Sequence, residues 1–190
     1  MAGFAPGAAA VTTWDEALNG DLSSTRTAPT QLALVQGPNL ILGTTLSGDP
    51  DFFTVTVPDG TFLNQLILGQ YVSLDNVAFL GIQQGPIITS TASATALLGW
   101  VHAGVAHRGT DILDDLALGA SAQGFTPPLG PGTYALWMQQ TGSELVTYRF
   151  NLVLVPEPSA AALVALGLAG LAAASRRHTA AQKRARNATG

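Results

Sequence analysis

Cysteine is absent from the 190 residues of this chain, which excludes disulfides, thiolate nucleophiles and cysteine-based zinc sites. Charge is scarce as well. Asp, Glu, Lys and Arg make up 11% of the chain, against about 25% in ordinary soluble domains. The scarcity is also uneven: residues 1–155 hold eleven acids against three bases (Arg26, Arg108 and Arg149), a net −8, while five of the eight Lys and Arg residues follow Ser175. The overall formal charge of −4 therefore averages two opposite parts. An acidic main body is a poor partner for nucleic acid, and none is expected.

Catalytic signatures are missing too. There is no H-E-x-x-H zinc helix, no G-x-S-x-G nucleophile elbow, no phosphate-cradling loop and no dinucleotide fingerprint, so the chain is not expected to be an enzyme. The first ten residues have neither a basic n-region nor an apolar core of seven residues, and as written they do not make a signal peptide. Ala8-Ala9-Ala10 ahead of Val11-Thr12-Thr13-Trp14 does have the form of an A-x-A cleavage region. An export signal beginning upstream of Met1 is expected from it, with residues 1–13 as the leader.

What is present is a β pattern. Tyr148, Phe150, Leu152 and Leu154 alternate with Thr147, Arg149, Asn151 and Val153, and Phe53, Val55 and Val57 alternate with Thr54 and Thr56. This period of two puts one face of each strand in a core and most of the other, Thr54 and Thr56 included, in water. Further strands are predicted at 31–35, 39–46, 62–71, 76–82, 97–102 and 133–140, with a short helix or loop over 111–118. Between them lie Gly/Pro turns such as Gln36-Gly37-Pro38, Pro58-Asp59-Gly60 and Gln84-Gly85-Pro86. About eight short strands at this spacing predict an all-β fold, a two-sheet antiparallel, jelly-roll-like β-sandwich over 14–155. Val77-Ala78-Phe79-Leu80, apolar on both faces, is expected in the middle of a sheet.

The end of the chain follows different rules. Pro156-Glu157-Pro158 precedes a run from Ser159 to Ser175 that contains no charge, and Arg176-Arg177-His178 opens a basic tail, 179–190. A helix over 159–175 would reach about 25 Å, at the lower limit for crossing a bilayer core of about 30 Å. Arg176 and Arg177 would then hold the tail in the cytoplasm and leave residues 1–155 outside. Because the run is apolar all round, a helix buried in protein satisfies the same pattern. A permanent single-pass membrane anchor also satisfies it.

Taken together, Val155-Pro156-Glu157-Pro158-Ser159, the Leu/Gly/Ala stretch Leu166-Gly167-Leu168-Ala169-Gly170-Leu171 and Arg176-Arg177 resemble the PEP-CTERM sorting signal of Gram-negative bacteria, here over 156–178. The resemblance implies recognition by an exosortase, a membrane peptidase that cuts near the PEP motif. It further implies transit through the inner membrane to the cell envelope, the surface or an extracellular matrix, and association with exopolysaccharide and biofilm. The tail departs from the family in running twelve residues past His178. A second likeness lies in the main body. Gly48-Asp49-Pro50-Asp51-Phe52-Phe53-Thr54-Val55-Thr56-Val57-Pro58-Asp59-Gly60-Thr61, with Gly130-Pro131-Gly132-Thr133-Tyr134 and Tyr148-Arg149-Phe150, resembles the strand and closing hairpin of bacterial pre-peptidase C-terminal domains, which are non-catalytic β-sandwiches.

No cofactor is required by any of these patterns, but two places have ligand-like residues. Asp49 and Asp51 offer two hard carboxylates in a Gly/Pro turn and can ligate Ca²⁺; turn initiation by Asp before Pro accounts for them equally. His102 and His107, with Asp111, Asp114 and Asp115 beyond, lack a spacing that suits one strand or helix face, and read as a solvated loop. Trp14, Trp100, Trp137, Tyr71 and Tyr134 are candidates for stacking on a polysaccharide, although Tyr134 and Trp137 fall on opposite faces of one strand, so one of them belongs to the core.

Overall fold

The computed structural model describes residues 9–157. Nine strands fall into two sheets: β1 (Val11–Asp15), β2 (Thr30–Ala33), β3 (Gly37–Thr45), β4 (Asp51–Val57), β5 (Thr61–Val72), β6 (Val77–Gln84), β7 (Gly99–Gly104), β8 (Gly132–Gln139) and β9 (Val146–Pro156). One sheet has the order β1-β3-β9-β5 and the other β2-β4-β8-β6-β7. Two short helices, α1 (Glu16–Asn19) and α2 (Leu113–Ala117), complete the described elements along with two single 3₁₀ turns. All eight predicted strands are present. The segment 111–118, read as a short helix or loop, contains α2, whose Leu113, Leu116 and Ala117 are buried.

The core lies between the sheets. Along β9 buried and half-buried residues alternate without interruption from Val146 to Val155, and β3 alternates in the same way, as the period of two requires. Tyr148, Phe150, Leu152 and Leu154 meet Ile41, Phe53, Val55, Leu66, Leu68, Leu80 and Leu136 in one continuous cluster. Each such side chain contributes about 1.5–3 kcal/mol relative to exposure.

Three expectations are corrected. The sheets are mixed rather than purely antiparallel: β1 runs parallel to β3 and β2 parallel to β4, whereas β3 with β9, β4 with β8, and β6 with both β7 and β8 are antiparallel. The reason is the path of the first four strands, which alternate between the two sheets. A chain that arches across to the opposite sheet and back reverses twice, and so returns parallel to the strand it left. Residues 11–13, read from the sequence as the end of a leader, belong to β1, with Val11 and Thr12 opposite Asn39 and Leu40.

The third correction concerns Thr54, expected on a wetted face. It is 5% exposed and donates its hydroxyl to the Pro86 carbonyl at 2.9 Å. The outer face of the five-stranded sheet is covered there by a second small cluster in which Phe52, Ala135 and Trp137 pack with Ile88 and Leu97, both from the segment between β6 and β7. This double coverage gives β4 and β8 five consecutive buried residues each. It also accounts for Phe79 in β6, which packs on that outer cluster while Ala78 and Leu80 enter the main core; Val77, at the start of the strand, is exposed, and β6 lies between β8 and β7.

Candidate functional site

Where β1 gives way to α1, Asp15 caps the helix by accepting from the Ala17 N–H at 3.0 Å, which leaves Glu16 as its first residue. Glu16 reaches across to close the following loop. Its Oε1 accepts from the Leu22 N–H (3.2 Å), and its Oε2 accepts from the Thr44 N–H (2.6 Å) and hydroxyl (3.0 Å). Leu22, drawn in by this bond, is 1% exposed.

Asp51, the first residue of β4, is wholly buried. Its Oδ2 accepts from the Tyr148 hydroxyl at 2.8 Å, and its Oδ1 has no hydrogen-bond partner. Tyr148 reaches it because the opposing residue on β3 is Gly43. A Cβ there would stand 2.5 Å from the Tyr148 hydroxyl oxygen and 3.1 Å from Glu16 Oε1, so only glycine leaves room for the phenol. A cleft of about 200 Å³ beside it is lined by Glu16, Gly43, Thr44, Gln70 and Tyr148 among others.

One carboxylate oxygen from each of Glu16, Asp21 and Asp51 lies within 4.8 Å of the others, and this is the group among the described residues with the spacing to hold a metal ion. The electrostatics follow from burial and like charge. Burial, reinforced by the charges of Glu16, Asp21 and Asp49 and opposed by the Tyr148 hydrogen bond, pushes Asp51 up to about 8. Burial also raises Glu16 against its three hydrogen bonds, and burial with the nearby Asp21 charge raises Asp49. Tyr148 is held well above its ordinary value by burial first and by Asp51 second. Of the two aspartates singled out in the sequence, Asp51 thus enters the group. Asp49 sits beside it, its backbone occupied by the turn that Leu46 and Thr45 close. Glu16 and Asp21 were missed. They are distant from Asp51 in the chain, and no spacing rule connects a helix start with a strand start in another sheet.

The other sequence candidates separate. Asp111 caps two backbone N–H groups, those of Leu66 (3.0 Å) and Leu113 (3.1 Å), while Asp114 and Asp115 are exposed on α2. His102 is exposed and stacks edge-on against Trp100 at 5.1 Å. Tyr71 and Tyr134 belong to the main core and Trp137 to the outer cluster. Trp100 packs on that outer cluster and Trp14 on the main core. A row of rings thereby crosses the outer face of the five-stranded sheet, with Phe52 and Trp137 at 5.9 Å, Trp137 and Phe79 at 4.5 Å, and Phe79 and Trp100 at 5.8 Å.

The strand β9 runs directly into the sorting residues: Pro156 is its last residue, and Pro156 and Glu157 are exposed. Pro158, the apolar run 159–175, Arg176 and Arg177 lie outside the described residues. Among the described residues no helix is long and apolar enough to cross a membrane. The chain divides into two compact units at Val155/Pro156.

An acidic, cysteine-free β-sandwich ending in a proline motif, an apolar run and a basic cluster defines a class, that of domains carrying a C-terminal sorting address. Residues 154–177 match the PEP-CTERM protein-sorting motif. Motifs of this kind are recognised by exosortases and direct export through the inner membrane to the cell envelope or surface. Comparison with curated proteins and with solved structures gives no match.

Proposed function

We propose that this chain is a non-catalytic surface or extracellular-matrix protein, delivered by an exosortase that cuts near Pro156-Glu157-Pro158 and associated with exopolysaccharide. The observation that carries this reading is the sorting motif at 154–177, starting on the last strand of the sandwich. Pro156 and Pro158 favour extended backbone around Glu157, the form in which a peptidase binds a segment. Arg176 and Arg177 fix the orientation of the apolar run during transit. Intact mass spectrometry of the protein recovered from the native cell surface or medium tests it. A mature form ending near 156–159 is expected; a surface form that retains Gly190 would replace cleavage with permanent anchoring.

A second reading, an adhesive module for polysaccharide, is favoured by the half-buried rings of Phe79 and Trp100, 5.8 Å apart on the outer face of the five-stranded sheet, because aromatic faces stack on the apolar faces of sugars. Binding of purified exopolysaccharide that is lost in Trp100→Ala would support it.

A further inference from the structure

The acidic group is built from three separate segments: the first turn of α1, the loop after it and the start of β4. Asp51 contributes a fully buried carboxylate whose Oδ1 lacks any donor. Buried carboxylate oxygens in folded proteins are hydrogen-bonded, paired or bound to a cation. No basic side chain is among the groups acting on Asp51; its charged neighbours are Glu16, Asp21 and Asp49. The neutralising partner must come from solution, as a proton or as a metal ion.

We propose that Glu16, Asp21 and Asp51 bind one calcium ion, which clasps the α1 loop to the start of β4. Hard carboxylate oxygens with no imidazole or thiolate in the group select an alkaline-earth ion over zinc or copper. Calcium suits it better than magnesium because Asp21 stands on an exposed loop, where water completes a coordination shell of variable number, whereas magnesium demands a near-ideal octahedron. Glu16 holds Leu22 and Thr44 through three hydrogen bonds and keeps one acceptor site, on Oε1, free for the ion. With three protein carboxylates and the rest water, the affinity falls in the range of extracellular modules, about 10⁻⁴–10⁻³ M. The site is independent of how the chain is sorted.

The test uses the full chain in detergent near neutral pH. Between EDTA and about 10 mM calcium, the melting temperature of the wild type is expected to rise by about 5 °C, with one ion bound per chain by calorimetry. Terbium in place of calcium is expected to emit on excitation of tyrosine, because the Tyr148 hydroxyl lies 2.8 Å from Asp51 Oδ2. Asp51→Asn, which keeps an acceptor for Tyr148, is expected to abolish both signals. Asp21→Asn, at an exposed position that leaves the core intact, is expected to weaken binding about tenfold or more, and Asp59→Asn in the distant Pro58-Asp59-Gly60 turn is expected to change neither. A wild type that gains no stability and no terbium emission would overturn the site in favour of a proton held by the carboxylates. So would a calcium affinity in Asp21→Asn equal to that of the wild type, whatever the folding of Asp51→Asn.

Discussion

Single residues in this sandwich carry polar duties that hydropathy does not reveal. Asn39 is fully buried in β3 and saturates its amide. The two N–H groups of its Nδ2 are shared among the carbonyls of Val35 (2.7 Å), Gly37 (2.9 Å) and Leu152 (3.2 Å), while its Oδ1 accepts from the Val35 N–H at 2.8 Å. It thereby fixes the turn into β3 and ties it to β9. Tyr71 is the opposite case, 1% exposed with a hydroxyl that finds no partner. Burial, with the Asp75 charge second, pushes it up to about 12. A folded-state value above the unfolded one means stability that is complete below about pH 10 and lost as the pH rises through about 12. Tyr148 acts in the same direction. Alkaline unfolding is therefore expected across this window, and Tyr71→Phe should move its midpoint to higher pH without loss of stability at neutral pH. Circular dichroism against pH checks it, and an unmoved midpoint would assign the alkaline limb to other groups.

Among the elements, β9 is the one on which the fold depends most. It pairs with β3 over nine consecutive positions, Gly37↔Leu154 to Thr45↔Val146, lies inside its sheet and presents Tyr148, Phe150, Leu152 and Leu154 to the core. Phe150→Asp puts a charge where no water reaches, at a cost of several kcal/mol, and no folded protein is expected. Leu145→Asp, at a 52% exposed position just before the strand, should change stability by less than about 0.5 kcal/mol. Urea unfolding of the two variants checks the contrast. The period of two made β9 and β3 legible because each has one covered face. In β4 and β8 the outer cluster removed that alternation, and the wetted face expected at Thr54 was a consequence of reading a strand without knowing what the segment between β6 and β7 would cover.

At the scale of the whole molecule, the sandwich and the sorting segment are separate physical problems joined at Val155/Pro156. Glu157 is exposed and follows the last strand residue, so Glu157→Ala should leave the melting temperature unchanged. Under the sorting reading, the same variant accumulates uncut. The measurement is the mass of the membrane-associated form compared with wild type. A variant processed at the wild-type rate would remove Glu157 from exosortase recognition. The acidic charge of residues 1–155 also concentrates in part around one site at this scale, where Glu16, Asp21, Asp49 and Asp51 come together.

Local chemistry let the sequence by itself determine the β class, the positions of eight strands and the sorting address, because alternation, turn residues and an uncharged run between prolines and arginines are properties of contiguous residues. Which strands run parallel, that Thr54 is covered, and that Glu16 and Asp21 stand against Asp51 were decided only by tertiary structure. Those facts depend on how arches return the chain to a sheet and on which distant segments close over each face, and no pattern within a strand encodes either.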